Sequence, residues 1–288
     1  MMSYYYMYPH NQEDHLLHAI ETGNIRSVQR LMSAGISPNT VLHSELRRES
    51  ATVLATAALE GQVHIMKYLL KLPNLLVNGK DSLFSRNALH WACVGGHFEV
   101  AELLLAHSVD VNSTDRDNMT PIIQAAMSGW TDIVKMLIDN GANVNQLDRM
   151  HSSALHYAAF HGRTQIVTLL IKAGCVLNHP AIFGHGTPLA NLVYHADFYN
   201  CQLLIEAGYS LKNDAWIPDY HASMQNGVCS EIVDFLMHVY CNAAPLVCLC
   251  RNLVRHQVSL SGPVLEEKIC KLPLPNKLIH SVRLDDVI

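Results

Sequence analysis

One recurring segment constrains this chain more than any single motif. The strings SRNALHWACVGGHFEVAELLLAHSVDVN, MTPIIQAAMSGWTDIVKMLIDNGANVN and SSALHYAAFHGRTQIVTLLIKAGCVLN align without gaps, and their equivalent residues Asn87, Thr120 and Ser153 stand 33 positions apart. A further copy opens at Thr187 after a step of 34, and an earlier one opens at Thr52, 35 positions before Asn87. A degenerate copy, DHLLHAIETGNIRSVQRLMSAGISPN, precedes these, and IPDYHASMQNGVCSEIVDFLMHV, from Ile217, closes the series with a short insertion after Gln225. About seven units therefore cover residues 13–240. A unit this short cannot bury an apolar face alone, so the units must stack.

Each unit reads as two helices. Thr120, Ser153 and Thr187 are caps, with Pro121 and Pro188 in the first turn, where a missing amide donor costs nothing. Alanine pairs such as Ala125-Ala126 and Ala158-Ala159 let neighbouring helices approach closely. Gly23, Gly61, Gly96, Gly129 and Gly162 follow at the place where a left-handed turn ends the first helix. In the second helix Ile133, Val134, Met136, Leu137 and Ile138 fall at helical spacing before Gly141, and Val144 and Asn145 lead into the polar loop 146–152. The run from Val41 to Ser50 is an insertion, and Ala196 stands where the other units carry glycine.

The T-P-L-H-like opening, the central glycine, the G-A-N-V-N ending and the period together resemble the ankyrin repeat. The resemblance implies an all-α solenoid of about seven helix-turn-helix units joined by short hairpin loops, over residues 13–244. Residues 1–12, beginning MMSYYYMYPHN, have neither a basic start nor a continuous apolar stretch and are expected to be a flexible tail rather than a signal sequence.

The composition narrows the chemistry. Hydrophobic residues make up 49% of the chain and charged ones 16%, which excludes a disordered protein. Every apolar run is interrupted before the ~18 residues a membrane helix requires. Residues 1–244 hold 14 basic and 21 acidic side chains, and no basic stripe suggests nucleic acid. The eight cysteines, Cys93, Cys175, Cys201, Cys229, Cys241, Cys248, Cys250 and Cys270, contain no C-x-x-C pair and read as reduced thiols of the cytoplasm or nucleus. Of the 18 histidines, His90 and His156 sit at the repeat's own histidine position and His97 follows the repeat glycine, so a structural role is expected for them. Neither H-E-x-x-H, nor G-x-G-x-x-G, nor a G-x-S-x-G elbow occurs. No catalytic residue, metal ligand or cofactor is assigned, and the chain is expected not to be an enzyme.

After Tyr240 the period stops. From Pro245, Leu246, Leu249, Cys250, Leu253 and Val254 form one apolar stripe of a helix, with Arg251, Asn252 and Arg255 on its other side. A second helix is expected from Pro263, carrying Val264, Leu265 and Ile269, and a third around Leu278, Ile279 and Val282. Between them Leu272-Pro273-Leu274-Pro275 is extended, because a residue before proline disfavours helix.

Residues 245–288 look like a SOCS box, and repeats followed by such a tail are similar to the ankyrin repeat and SOCS box (ASB) family. The family's elongin-C-binding motif is matched by Leu246, Cys250 and Val254 with Pro245, on a helix that also carries Leu249 and Leu253. Its cullin-binding segment is matched by Leu272, Pro273, Leu274, Pro275 and Leu278, while Ser281 stands at the family's aromatic position. The resemblance implies a non-catalytic substrate receptor whose tail docks elongin B/C and cullin-5 with its RING protein, while the repeats hold a target protein. Target-binding candidates at loop tips and on first helices are Arg116, Asp117, Met119, Met127, Trp130, Arg149, Met150, Phe160 and His161. The alternative is a non-catalytic ankyrin scaffold or inhibitor, in which the stripe from Leu246 to Val254 only caps the stack against Ile232, Val233, Phe235 and Leu236.

Overall fold

The computed structural model describes residues 12–44, 49–179, 186–211, 214, 217 and 230–241. The chain divides into two compact units, residues 1–121 and 122–288. The first contains the helices α1 (Gln12–Glu21), α2 (Ile25–Ser33), α3 (Val53–Leu59), α4 (Val63–Leu69), α5 (Ala88–Gly95) and α6 (Phe98–Ala106). Between α2 and α3 stand two strands, β1 (Val41–Ser44) and β2 (Glu49–Thr52). The second unit contains α7 (Pro121–Ser128), whose first residue lies at the boundary, then α8 (Thr131–Asp139), α9 (Ala154–Phe160), α10 (Thr164–Lys172), α11 (Pro188–Tyr194), α12 (Phe198–Glu206) and α13 (Ser230–Cys241).

In the first unit α1, α3 and α5 pack side by side as one layer, and α2, α4 and α6 form the second. In the second unit α9 packs on α11, while α10 lies between α8 and α12. The first helices can sit this close because their facing side chains are small. Ala57, Ala58, Ala92, Ala125, Ala126, Ala158 and Ala159 are all fully buried. The second helices contribute larger groups, among them Leu69, Leu104, Leu137 and Leu170, each also fully buried.

Of the expected caps, Thr187 closes its helix and Ser153 forms a capping box with His156, whereas Thr120 does not cap, and further units carry caps of their own. The Thr52 hydroxyl accepts from the Ala55 amide at 3.1 Å, and Thr187 does the same for Ala190, with Pro188 in the first turn. Asn87 caps α5 through the His90 amide, at 3.1 Å. Thr120 is buried, and its hydroxyl finds no hydrogen bond among the described residues.

The insertion at Val41 to Ser50 departs from the all-α expectation. It forms an antiparallel hairpin in which Val41 faces Thr52 and Ser44 faces Glu49. Leu42 is buried in it, and β1 packs on α1, so the added residues close the first helical pair rather than looping into solvent. The tail helices expected after Pro245, the N-terminal tail and most of the first helix of the last repeat lie outside the described residues. Their companion α13 buries Ile232, Val233 and Leu236, and Phe235 meets Phe198 edge-on at 5.5 Å.

The repeat glycines do two jobs. Gly61 takes φ +66, and a Cβ there would lie 2.4 Å from the His97 ring, whose Nε2 donates to the Leu59 carbonyl at 2.9 Å. The bare position thus permits a left-handed turn and makes room for the next repeat to close over it. Gly162 repeats the arrangement with His195, whose Nε2 donates to the Phe160 carbonyl at 3.0 Å. In the copy that opens at Thr187, Ala196 itself adopts φ +54, a conformation that costs a side-chain-bearing residue about 1–2 kcal/mol.

Gly61→Ala is expected to lower unfolding free energy by about 2 kcal/mol or more, from backbone strain plus displacement of His97. Ala196→Gly is expected to raise it by about 0.5–1 kcal/mol, the gain in the folded turn exceeding the added freedom of the unfolded chain. Urea denaturation of the two variants beside wild type checks both signs.

Candidate protein-binding surface

Two kinds of exposed segment are available to a partner: the loop tips that precede each first helix, and the turns that join first to second helices. Within one repeat they are separated by the first helix. In α9, seven residues long, that is about 10 Å.

The loop tips are built around buried carboxylates. In the first unit Asp81 accepts from the Phe84 amide at 2.6 Å, the Arg86 amide at 3.3 Å and the Trp91 indole at 3.0 Å. Asp115 accepts from the amides of Asp117 and Met119, both at 2.9 Å, and from Arg86 Nε at 3.1 Å. The Arg86 guanidinium lies 4.9 Å from the ring centre of Phe84 and 5.1 Å from that of Trp91. Burial raises the Coulombic value of the Arg86–Asp115 pair, and its amide donors help offset the desolvation. In the second unit Asp148 accepts from the Met150 and Ser152 amides, both at 2.8 Å, and from the Tyr157 hydroxyl at 2.7 Å. Asp214 likewise accepts from the Tyr209 hydroxyl at 2.7 Å and pairs with the Thr187 hydroxyl. Burial and the adjacent Asp214 carboxylate push the Tyr209 hydroxyl far above its ordinary range.

Histidines hold loop tips to helices. His90 Nε2 donates to the Met119 carbonyl at 3.1 Å, and its Nδ1 accepts from the Asn87 amide at 3.3 Å. His156 repeats this toward the His179 carbonyl at 3.3 Å and the Ser153 amide at 3.2 Å. Burial drives the His90 pKa down to about 4. An asparagine ladder does similar work at the far ends of the second helices. The side-chain oxygens of Asn39, Asn78, Asn145 and Asn178 accept from the amides of Leu76, Asp110, Val176 and Ser210, at 2.7–2.8 Å.

The sequence-derived candidates fall into separate groups. Arg116 and Asp117 are exposed at a loop tip of the first unit, where Arg116 donates to the Ser82 carbonyl at 3.2 Å. Met119 departs from the expectation: it is only 8% exposed, turned inward because its amide and carbonyl are tied to Asp115 and His90. In the second unit Arg149 and Met150 form an exposed loop tip around Asp148. Met127, Trp130, Phe160 and His161 lie instead at the helix-to-helix turns, with Met127 half-buried and the others exposed. The tail candidates, Pro245, Leu246, Leu249, Cys250, Leu253, Val254, Leu272, Pro273, Leu274, Pro275 and Leu278, lie outside the described residues.

Sequence reasoning missed the loop carboxylates, although Asp81, Asp115 and Asp148 recur near the repeat period and could have been found by aligning loops instead of helices. It also missed the exposed Tyr194 and Tyr199, which sit at the same turns as Trp130 and Phe160. Among the described residues no three His, Cys, Asp or Glu side chains gather in a metal-binding group, and no helix is long and apolar enough to cross a membrane. Cys93, Cys175 and Cys201 are buried in the core, and burial pushes the Cys93 thiol far above its usual range.

The lowered His90 pKa makes stability depend on pH. The unfolded chain protonates this side chain near 6.5 while the folded one resists until about 4, so its contribution is complete above pH 6.5 and declines as pH falls toward 4. Urea unfolding at pH 7.5 and 4.5 is expected to show a loss of about 2–3 kcal/mol from this source, and His90→Gln is expected to remove that part of the pH dependence.

The paired helices, left-handed glycine turns, histidine links and asparagine ladder describe one repeated unit with one kind of neighbour contact. A family model for ankyrin repeats matches residues 16–115 and 108–181, more than half of the 288-residue chain. What those repeats offer is a surface for other proteins, and the chain belongs to the ankyrin-repeat family.

Proposed function

We propose that this ankyrin-repeat protein is the substrate-recognition subunit of an elongin B/C–cullin-5 RING ubiquitin ligase. The observation that carries the reading is the order of two short motifs behind the repeats. Pro245, Leu246, Cys250 and Val254 match an elongin-C-binding helix, and Leu272-Pro273-Leu274-Pro275 with Leu278 match the cullin-binding segment that follows it in SOCS boxes. Either motif alone is short enough to arise by chance; both, in sequence, at the end of a repeat array are far more specific.

In this reading the chain performs no chemistry and works in the cytoplasm or nucleus. The repeats hold a target protein, and the tail at residues 245–288 docks the adaptor. Tethering raises the effective concentration of target lysines near a charged ubiquitin-conjugating enzyme. Leu246 acts as an anchor: an amphipathic helix laid in an apolar groove concentrates its affinity in a few buried side chains. The helical spacing of Leu246, Leu249, Cys250, Leu253 and Val254 in the sequence suits that mode.

The test is capture of purified elongin B/C by the full chain, beside a Leu246→Ala/Cys250→Ala variant whose helical circular dichroism matches wild type. Adaptor binding is expected for wild type and a loss of about a hundredfold or more for the variant. A folded wild-type chain that captures no elongin would leave a scaffold whose tail merely caps the repeats, and the ligase reading would fall.

A further inference from the structure

The hairpin inserted between the first two repeats carries a feature that the stack does not use. Arg47 and Arg48 stand third and second before Ser50, at the one place in the chain where two basic residues are adjacent. No other serine or threonine therefore has basic side chains at both of those positions. Glu45 and Glu49 belong to the same segment, so its net charge is zero and the arginines are distinguished by position rather than by a basic field.

The fold decides how the hydroxyl behind them is held. Ser50 lies in the extended backbone of β2, directly opposite His43 of β1. Its Oγ shares a 2.7 Å hydrogen bond with His43 Nδ1 at the surface. Thr52, two residues on, is committed to the Ala55 amide, and Thr187 to the Ala190 amide, as helix caps. Among the described residues β2 is paired on one side only. β1 is the anchored strand, with Leu42 buried and α1 against it, so drawing the start of β2 away leaves that contact in place. A pair of four-residue strands is marginal by itself, and local opening to present the segment costs little.

Chemistry selects the modification. Two guanidinium groups on the amino-terminal side of a hydroxyl suit an enzyme groove lined by carboxylates, because arginine's planar fork makes paired, charge-assisted bonds. In such a groove Ser50 Oγ attacks the γ-phosphorus of magnesium-bound ATP. An O–P bond forms, the bond to the ADP leaving group breaks, and the hydroxyl proton passes to the enzyme's catalytic carboxylate. The product carries close to two negative charges and three strong acceptor oxygens at the place of the hydroxyl. His43 is already within bonding distance of that place, and its N–H can donate to the phosphate.

We propose that Ser50 is a phosphoacceptor for an arginine-directed protein kinase, and that His43, across the strand pair, holds the phosphate once it is attached. The site draws on neither the tail motifs nor the loop tips of the repeats, so its failure and the failure of elongin capture are separate results.

The experiment is phosphorylation of the full chain under native conditions by the catalytic subunit of a cyclic-AMP-dependent kinase with ATP and magnesium, followed by intact mass and fragment mapping. Addition of a single phosphoryl group, at Ser50, is expected, with none in Ser50→Ala. Arg47→Ala/Arg48→Ala should lower kcat/KM for the transfer by about a hundredfold or more. His43→Ala should leave that transfer unchanged and speed removal of the phosphate by a phosphatase by about threefold to fivefold, the scale of an exposed charge pair. Failure of the native chain to take up phosphate, uptake only after heat denaturation, a phosphate mapped elsewhere, or equal transfer to the double-arginine variant would overturn the site. Equal phosphatase rates for wild type and His43→Ala would overturn the part given to His43.

Discussion

Burial of each helix pair against the next is the interaction on which everything else in this protein depends. A pair such as α9 and α10 is too short to be stable by itself, because a helix of two turns gains little from its own hydrogen bonds. It becomes stable when its alanine-rich face meets a neighbour. The buried pairs Ala125-Ala126 and Ala158-Ala159 keep the first helices thin, while the leucines and isoleucines of the second helices supply most of the apolar area. Stability in such an arrangement is a sum over neighbours, so a defect at one interface weakens the stack locally before it unfolds the whole.

Apolar burial is non-directional, and polar contacts give it register. The asparagine ladder, the histidine bonds to loop and helix carbonyls, and the closure of one repeat's side chain over the preceding repeat's glycine all join a fixed position in one unit to a fixed position in the next. Their partners are mostly backbone groups, which makes them tolerant of sequence change in the neighbour. Two different positions, occupied by His97 and His195, reach the equivalent carbonyls of Leu59 and Phe160. The geometry asks for a donor over the turn, and more than one residue in the repeat can supply it.

Function enters where this framework leaves side chains over. Loop tips are rigid because their carboxylates are buried beneath them, so Arg149 and Met150 are displayed from a fixed support, in the way Asp148 satisfies the amides beneath them. The turns are rigid for a different reason, being pinned from the adjacent repeat, and there the second unit carries aromatic groups in place of the polar residues that a purely structural turn would need. A protein that presents two such surfaces has the means to read a partner by shape.

The repeat length, the helix caps, the left-handed glycines and the alanine faces were legible in the sequence because each is a local requirement, met by particular residue types at fixed spacing. Even the odd Ala196 stood out by position, and the chain bends it into the turn all the same. The β1–β2 hairpin was not legible beyond being an insertion, since four-residue strands carry too little alternation to announce themselves. Nor was the role of Asp81, Asp115 and Asp148: an aspartate in a polar loop reads as solvated until the fold closes over it and aims amides, an indole and a phenol at its oxygens. Met119 shows the same limit in reverse, a loop methionine drawn inward by the bonds of its own backbone. The sequence by itself determined the repeating unit and its need for neighbours, because periodicity and residue size are properties of the chain; which side chains are buried, bridged or left facing a partner was decided only by the tertiary structure, because those are properties of the contact between units.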